Sequence, residues 1–433
     1  MSFDLTRLAG WQPPPKYQAV SSVLEGITIY APIPESVKEE EPTAYKCPQC
    51  GATTRFDVAA GGVACEHCGY TATARAQKVG VSAARSEFTL ETLSQADKGW
   101  GLDRRMLHCD KCGAELSIPE GSLTSTCPFC ASNKVNVRTA PAENLRPRFL
   151  VPFKIKSEAI GTEVKTWLTQ GWFHPSELSS SSVVDRLVGI YLSFWTFDAD
   201  IASDWKAEVG YERQERYYDS GSKEWKTRTV IDWRWEDGTV NTSINNLLVS
   251  ASTRVSRIIL ERLNPFNLND LVTYSPDFLA GWQAQTYDIT LPAAWEKGKA
   301  SMRDKAKDAC YADIPTSHVR NFSMTADFND EAWRYVLLPV YLAAYRFESK
   351  VYQVMINGQT GAIAGQKPVA WWKIWLAIAA MLSPGLCAGL IGLPLLFAGG
   401  VGLAPIILGL ILLVVGIVFA VKLYQQAVKA EAG

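Results

Sequence analysis

The sequence predicts an α+β protein: two small four-cysteine β ribbons, a mixed antiparallel-sheet α+β domain, and a C-terminal two-helix hairpin. Three observations carry this. Eight of the ten cysteines fall in four Cys-x-x-Cys pairs ahead of Ala131. No charged residue occurs from Ile374 to Val421. Between these regions, strands of alternating polarity are interrupted by amphipathic helical stretches, the pattern of helices packed on a sheet. At 433 residues the chain is long enough for several units. Its formal net charge of −1 supplies no strong field toward polyanions. Met1 to Ala19 shows no basic stretch followed by an apolar run, so a cleaved signal peptide is not expected.

The ribbons come first. Cys47, Cys50, Cys65 and Cys68 form one set, and Cys109, Cys112, Cys127 and Cys130 the other. In each set fourteen residues separate the two pairs, and every cysteine of the first recurs 62 positions later. A Cys-x-x-Cys knuckle presents two sulfurs to one side of a tetrahedral ion, and two knuckles complete a closed shell with no open position for substrate. Fourteen residues suit a short β-hairpin. Glycine follows Cys50, Cys68 and Cys112, where the backbone must turn beneath the sulfurs. Ala131 takes that place after Cys130, which predicts a slightly irregular fourth knuckle. Structural Zn²⁺ in two Cys₄ sites is the expected cofactor; iron of the rubredoxin type and redox-active dithiols are the alternatives. With four cysteines completing each shell, His67 and His108 are read as bystanders. The absence of an export signal, together with the metal-like spacing, favours a reducing compartment over a disulfide framework.

Zinc ribbons often bind nucleic acid, but the charge here argues against it. From Tyr45 to Val135 there are ten Lys/Arg and nine Asp/Glu. Each Zn(Cys⁻)₄ centre adds about −2, whereas phosphate binding needs clustered positive charge. Docking of a protein partner is the better use for such a module.

The hairpin spans 370–424. Ile374–Phe397 and Leu403–Val421 hold 24 and 19 uncharged residues, split by the glycine-rich segment 398–402. About 20 apolar residues cross a bilayer core as a helix. Trp371, Trp372, Trp375 and Tyr424 mark the interfaces, where amphipathic aromatics settle. Lys367 and Lys373 precede the first span, Lys422 and Lys429 follow the second, and the turn has none. The positive-inside tendency then places both termini in the cytoplasm. A buried core hairpin, and a hairpin that enters one leaflet and returns, are the alternatives; Pro384, Gly385 and Pro394 make the first span easy to kink. Cys387 is read as a small packing residue.

The remaining segments follow in order. Residues 1–44, with Pro13-Pro14-Pro15 and Glu39-Glu40-Glu41, read as a loosely docked arm. Ribbon 1 covers 45–72, a linker 73–105 with a short helix over 87–96, and ribbon 2 covers 106–136. The α+β domain covers 146–366. A strand at 149–155 leads to a helix capped by Ser157, with Ile160, Val164, Trp167 and Leu168 on one face. A long strand covers 188–201. Trp225, Trp233 and Trp235 then alternate with polar residues in another strand, ended by a turn at Asp237-Gly238. A strand at 286–291 precedes a helix opened by Pro292 and running to Cys310, with Met302 and Ala306 beside Cys310 on its core face. Strands at 320–326, 335–347 and 351–356 complete a second strand–helix–strands cycle, so the domain reads as a duplication. No phosphate loop or nucleophile elbow is present, and isolated His174 and His318 read as structural.

These residues carry a resemblance. The paired ribbons, Val151-Pro-Phe-Lys154, Trp172-Phe-His-Pro175, Tyr191-Leu-Ser-Phe-Trp195-Thr-Phe-Asp198, Tyr274-Ser-Pro-Asp-Phe-Leu-Ala-Gly281, Leu338-Pro-Val340 and Ile356-Asn-Gly-Gln-Thr-Gly361 precede the apolar tail. In that order they resemble the bacterial membrane zinc-ribbon proteins of the YdjG type. The resemblance implies a non-enzymatic adaptor at the inner membrane, with phage-shock-protein-A-like or flotillin-like (SPFH) protein partners in a membrane-stress system. It implies no catalytic residues, and self-association is compatible with it. A membrane-tethered nucleic-acid regulator and an enzyme housed in the α+β domain are the rival classes.

Overall fold

The computed structural model describes residues 17–20, 29–32, 46–74, 76–87, 104–119, 126–139, 145–175, 187–263, 265–347, 350–397 and 402–432. The helix expected over 87–96 lies outside these residues except for Glu87, as do both the Pro13–Pro15 run and Glu39–Glu41. The chain divides into an N-terminal unit, Met1–Thr43, and a large unit, Ala44–Gly433. In the first, β1 (Tyr17–Val20) pairs antiparallel with β2 (Ile29–Pro32).

The large unit is α+β. Ribbon 1 is a separate antiparallel sheet of β3 (Arg55–Asp57), β4 (Gly62–Ala64) and β5 (Thr71–Thr73). In the linker, β6 (Ser86–Glu87) lies against the main sheet. Ribbon 2 is built from β7 (Arg104–Cys109), β8 (Glu115–Pro119) and β9 (Val135–Thr139). Then come β10 (Phe149–Leu150) and α1 (Ser157–Thr169), followed by two long strands, β11 (Val188–Asp219) and β12 (Glu224–Ser250). After α2 (Arg257–Leu263), β13 (Val272–Thr273) and β14 (Gln283–Gln285), the second half has α3 (Leu291–Asp313), β15 (Val319–Phe347), β16 (Lys350–Asn357) and β17 (Ile363–Gly365). The chain ends in α4 (Trp371–Phe397) and α5 (Leu403–Ala432).

Two halves of the domain repeat one set of hydrogen bonds. β10 runs parallel to β15 at Val336 and Leu337, and β14 runs parallel to β11 at Ile190 and Tyr191. Gly358 N–H donates to Pro339 O as Ala251 N–H does to Ser193 O. Gly358 O accepts from Lys154 and Ile155, and Ala251 O accepts from Asp288 and Ile289. A helix starts just after each pair of donating amides, α1 at Ser157 and α3 at Leu291. β11 and β15 pair antiparallel between the halves, so the repeat is related by a local two-fold axis.

Several expected elements differ in extent, each for a local reason. The strand expected over 149–155 stops at Leu150, because Pro152 has no amide and the next amides turn to Gly358 O. Ser157 is the first helical residue rather than the cap; Lys156 holds the cap position. Ile160, Val164 and Leu168 are buried as the periodicity requires, each worth roughly 1.5–3 kcal/mol. The turn expected at Asp237-Gly238 is absent, and Gly238 pairs with Trp205 inside a continuous strand. Its missing side chain is filled by the Trp205 indole, whose Nε1 would sit 2.8 Å from a Cβ there. The strands expected at 320–326 and 335–347 are one strand, β15, with irregular register against β11 where it bends. At 286–291 the strand lies earlier, at Gln283–Gln285, because the amides of Asp288 and Ile289 bond the Ala251 loop instead.

The core lies between α1, α2, α3 and the sheet. Trp195, Tyr191, Tyr335 and Tyr341 are fully buried in it. One ion pair sits inside: Arg334 Nη2 donates to Asp198 Oδ2 at 2.8 Å and to Asn246 Oδ1 at 2.6 Å, and its side chain is 1% exposed. Breaking such a pair from one side costs about 3–5 kcal/mol, because the remaining charge is left unpaired. Cys310, Met302 and Ala306 are buried along α3.

β11 and β12 extend well past the core. At about 3.3 Å per residue, the 32 residues of β11 run roughly 100 Å. Past the Val209–Val319 pair two strands, β11 and β12, continue among the described residues. The opposite end of the sheet holds the helix pair. Val188 pairs with Leu342, Phe347 pairs with Lys350, and Lys350 Nζ bonds Glu431 of α5 at 2.7 Å. The domain thus carries α4 and α5 at one end and the β11–β12 tip at the other.

α4 and α5 pack through glycines. A Cβ at Gly385, Gly409 or Gly416 would meet the facing backbone at 2.7–2.8 Å. Both helices are long and apolar enough to cross a membrane. Their outer surfaces are apolar and open, with Leu390 67% and Leu410 65% exposed. Cys387, expected to pack inside, is exposed on the outer face, because the seam is taken by glycines.

Candidate metal centres

The two four-cysteine sets each come together. In the first, Cys47 Sγ lies 3.4 Å from Cys68 Sγ and Cys50 Sγ lies 3.6 Å from Cys65 Sγ. In the second, Cys109–Cys130 and Cys112–Cys127 are both 3.7 Å apart. Within each set the four sulfurs all lie within 4.8 Å of one another. A disulfide needs about 2.05 Å, so these are free thiols. A metal–sulfur bond of about 2.3 Å in a tetrahedron gives sulfur–sulfur edges of about 3.8 Å. Both clusters therefore fit one tetrahedral ion each.

Each knuckle is closed by the same hydrogen bond. Gly51, Gly69 and Gly113 donate to the carbonyls of Cys47, Cys65 and Cys109 at 2.8, 3.0 and 2.7 Å. These glycines have φ of 73°, 75° and 68°. Ala131 makes the matching bond to Cys127 O at 2.9 Å with φ of 52°. The fourth knuckle is therefore regular, contrary to expectation. Its alanine adopts the left-handed conformation at a cost of roughly 1–2 kcal/mol.

Electrostatics within the first cluster favour a cation. Burial raises the Cys47 thiol, but the Gln49 and Cys50 amides and the facing thiols bring it down to about 7. At Cys68 the Tyr70 amide lowers the thiol, yet burial and the other three cysteines push it up to about 12. In the second cluster burial is the main cause, pushing Cys112 up to about 11 and raising Cys127 further. Each cluster thus pairs one lowered thiol, Cys47 or Cys109, with raised ones, Cys50 and Cys68 or Cys112 and Cys127, and a bound cation would offset the raising.

The surroundings of the two clusters differ. Cys50 and Cys68 are exposed, whereas Cys112 and Cys130 are half-buried. Ribbon 1 meets the domain through Phe56, whose amide donates to Ala280 O at 3.0 Å and whose ring lies 5.0 Å from Phe278. Ribbon 2 is continuous with the main sheet, since β8 pairs with β14 at Ala284 and Gln285. Its Cys109, Cys127 and Phe129 belong to the same buried cluster as Ile190 and Val336. Two residues absent from the cysteine pattern hold it: Gln353 Nε2 donates to Phe129 O at 2.7 Å, and Arg254 packs over Gly113. Nothing in the local sequence of either residue marks that role.

None of the four histidines lies in either four-cysteine group. His67 is exposed, His108 bonds Glu115 at 3.3 Å, and His318 bonds Glu212 at 3.0 Å. His174 is buried, with Nδ1 2.9 Å from Pro368 O.

The chain is distantly homologous to YdjG, an uncharacterized protein of Bacillus subtilis strain 168. The two are 24% identical over 336 residues, which cover 76% of this chain and 92% of YdjG. No family model and no solved structure matches the chain.

Proposed function

We propose that this protein is a non-enzymatic adaptor that holds protein partners at the cytoplasmic face of a membrane. One observation carries the reading: a single unit bears an outward-facing apolar helix pair at one end and an exposed aromatic hairpin at the other. Zinc in each Cys₄ site would lock two knuckles together and leave no open coordination position. The uncharged helices, with lysines at both outer ends, suit a membrane hairpin with its domain on the cytoplasmic side. The glycine seam supports the same reading, because close backbone approach is how helices associate in lipid.

The far end suits docking. Trp225 is 64% and Trp235 56% exposed, with Tyr218 beside Trp225. Arg216 lies over Trp225, Lys206 over Trp235 and Arg320 over Trp233. Aromatics and arginine are the residues that carry binding energy at protein interfaces. The resemblance to the membrane zinc-ribbon proteins suggests phage-shock-protein-A-like or SPFH proteins as partners of the bacterial inner membrane.

The experiment compares the full chain with its Trp225→Ser/Trp235→Ser variant in affinity capture from native membranes. The reading expects stoichiometric protein partners on the parent chain that are lost from the variant while both stay in the membrane fraction. Tight nucleic-acid binding that falls steeply with salt would overturn it in favour of a tethered regulator.

A further inference from the structure

We propose that the loop 171–175 of the α+β domain sits in the lipid headgroup layer, with Trp172 as an interfacial anchor separate from the helix pair. The proposal rests on the reading of α4 and α5 as membrane-crossing helices. It adds a third contact, made by the domain itself.

The loop follows α1 and is clamped to the start of α4. Phe173 O accepts from Ala370 N–H at 2.8 Å. Lys373 Nζ donates to Trp172 O at 3.3 Å and to His174 O at 2.9 Å. Lys367 Nζ donates to Gln170 O at 3.3 Å, and His174 Nδ1 to Pro368 O at 2.9 Å. The Phe173 ring packs with Ile374 of α4 and Leu423 of α5. Gly171, with φ of 104°, lets the chain reverse, and the His174 ring fills the space where a Cβ would stand.

These clamps fix the depth of the loop. Ala370, whose amide bonds Phe173 O, immediately precedes α4, so the loop lies level with the first turn of that helix. Trp372 and Trp375 occupy the same turn, 67% and 59% exposed, and Tyr424 of α5 stands level with them, its ring 5.6 Å from Trp371. By the hairpin reading these aromatics mark the interface. Trp172 belongs to the loop clamped beside that turn and is 56% exposed, its ring meeting Phe173 edge-on at 5.8 Å.

An indole so placed gains little in water. At the bilayer interface its apolar body enters the acyl boundary and its N–H reaches headgroup oxygens. Lys373, over the Trp372 ring, supplies a positive charge at the same level. Clamping the loop sets the tilt of the domain, because one contact beside the helix pair opposes rocking about it. The β11–β12 tip then points away from the bilayer in a fixed direction.

The test uses the full chain in phosphatidylethanolamine/phosphatidylglycerol vesicles containing a lipid with a diazirine near its headgroup. Cross-links formed on irradiation are mapped by mass spectrometry. The proposal expects lipid adducts on the peptide holding Trp172 and on that holding Trp372 and Trp375, with none on those holding Trp225 and Trp235. Adducts at Trp372 and Trp375 but not at 171–175 would overturn the proposal and leave the membrane hairpin standing. Adducts at neither would overturn both. Labelling of Trp225 and Trp235 equal to that of Trp172 would also overturn it.

Discussion

The two four-cysteine ribbons share a spacing but not a setting. Ribbon 1 keeps its three strands to itself and docks on the domain through Phe56, Val58 and Val63, with Cys50 and Cys68 open to solvent. Ribbon 2 gives its strands to the main sheet and its Cys109, Cys127 and Phe129 to the main core. The same four-sulfur geometry thus has two different structural dependents. In ribbon 1 the ion would hold a peripheral knuckle pair; in ribbon 2 it would hold one wall of the domain.

The largest expected effect breaks that difference open. A structural zinc site is worth roughly 10–16 kcal/mol of apparent binding energy. Cys109→Ser is therefore expected to abolish cooperative unfolding of the whole domain in a calorimetric scan, whereas Cys50→Ser loses one ion and keeps the main transition. Next in size is Phe129→Ala, expected to destabilise the domain by about 3–5 kcal/mol in denaturant titration. Its counterpart Phe56→Ala, which empties part of the buried cluster around Leu150 and Phe278, is expected to cost a comparable amount and in addition to free ribbon 1 to rapid proteolysis. Gln353→Ala, which strips the bond to Phe129 O, is expected to cost about 1 kcal/mol on the same titration. The smallest effect has the opposite sign. Ala131→Gly relieves the only non-glycine knuckle and is expected to stabilise the domain by about 1 kcal/mol; Gly51→Ala should weaken metal retention at ribbon 1 alone.

What could be read from the sequence follows from how local each cause is. Metal ligation needs four sulfurs at fixed intervals, so the duplicated cysteine pattern and the members of each site were legible. The two apolar helices were legible too, because the length and the lack of charge lie in one continuous segment. The merger of β8 with β14 was not, since it is a pairing of Ser117 and Leu116 with residues far along the chain. Asp237-Gly238 has the residues of a turn, but the glycine there makes room for Trp205, a partner on another strand. Ala131 reads as a defect until its backbone is seen in the same left-handed conformation as the three glycines. Cys387 looked like packing because it sits in an apolar run, yet the seam is made by glycines on another face.

Stepwise chelation of the detergent-solubilised full chain, with metal content and thermal unfolding followed together, tests the central claim most directly. The account predicts two zinc ions per chain at the outset. The first should leave with the fold intact, and the second only as the domain unfolds. Fewer than two metal ions per chain after reducing purification, or removal of both with no loss of the unfolding transition, would contradict it.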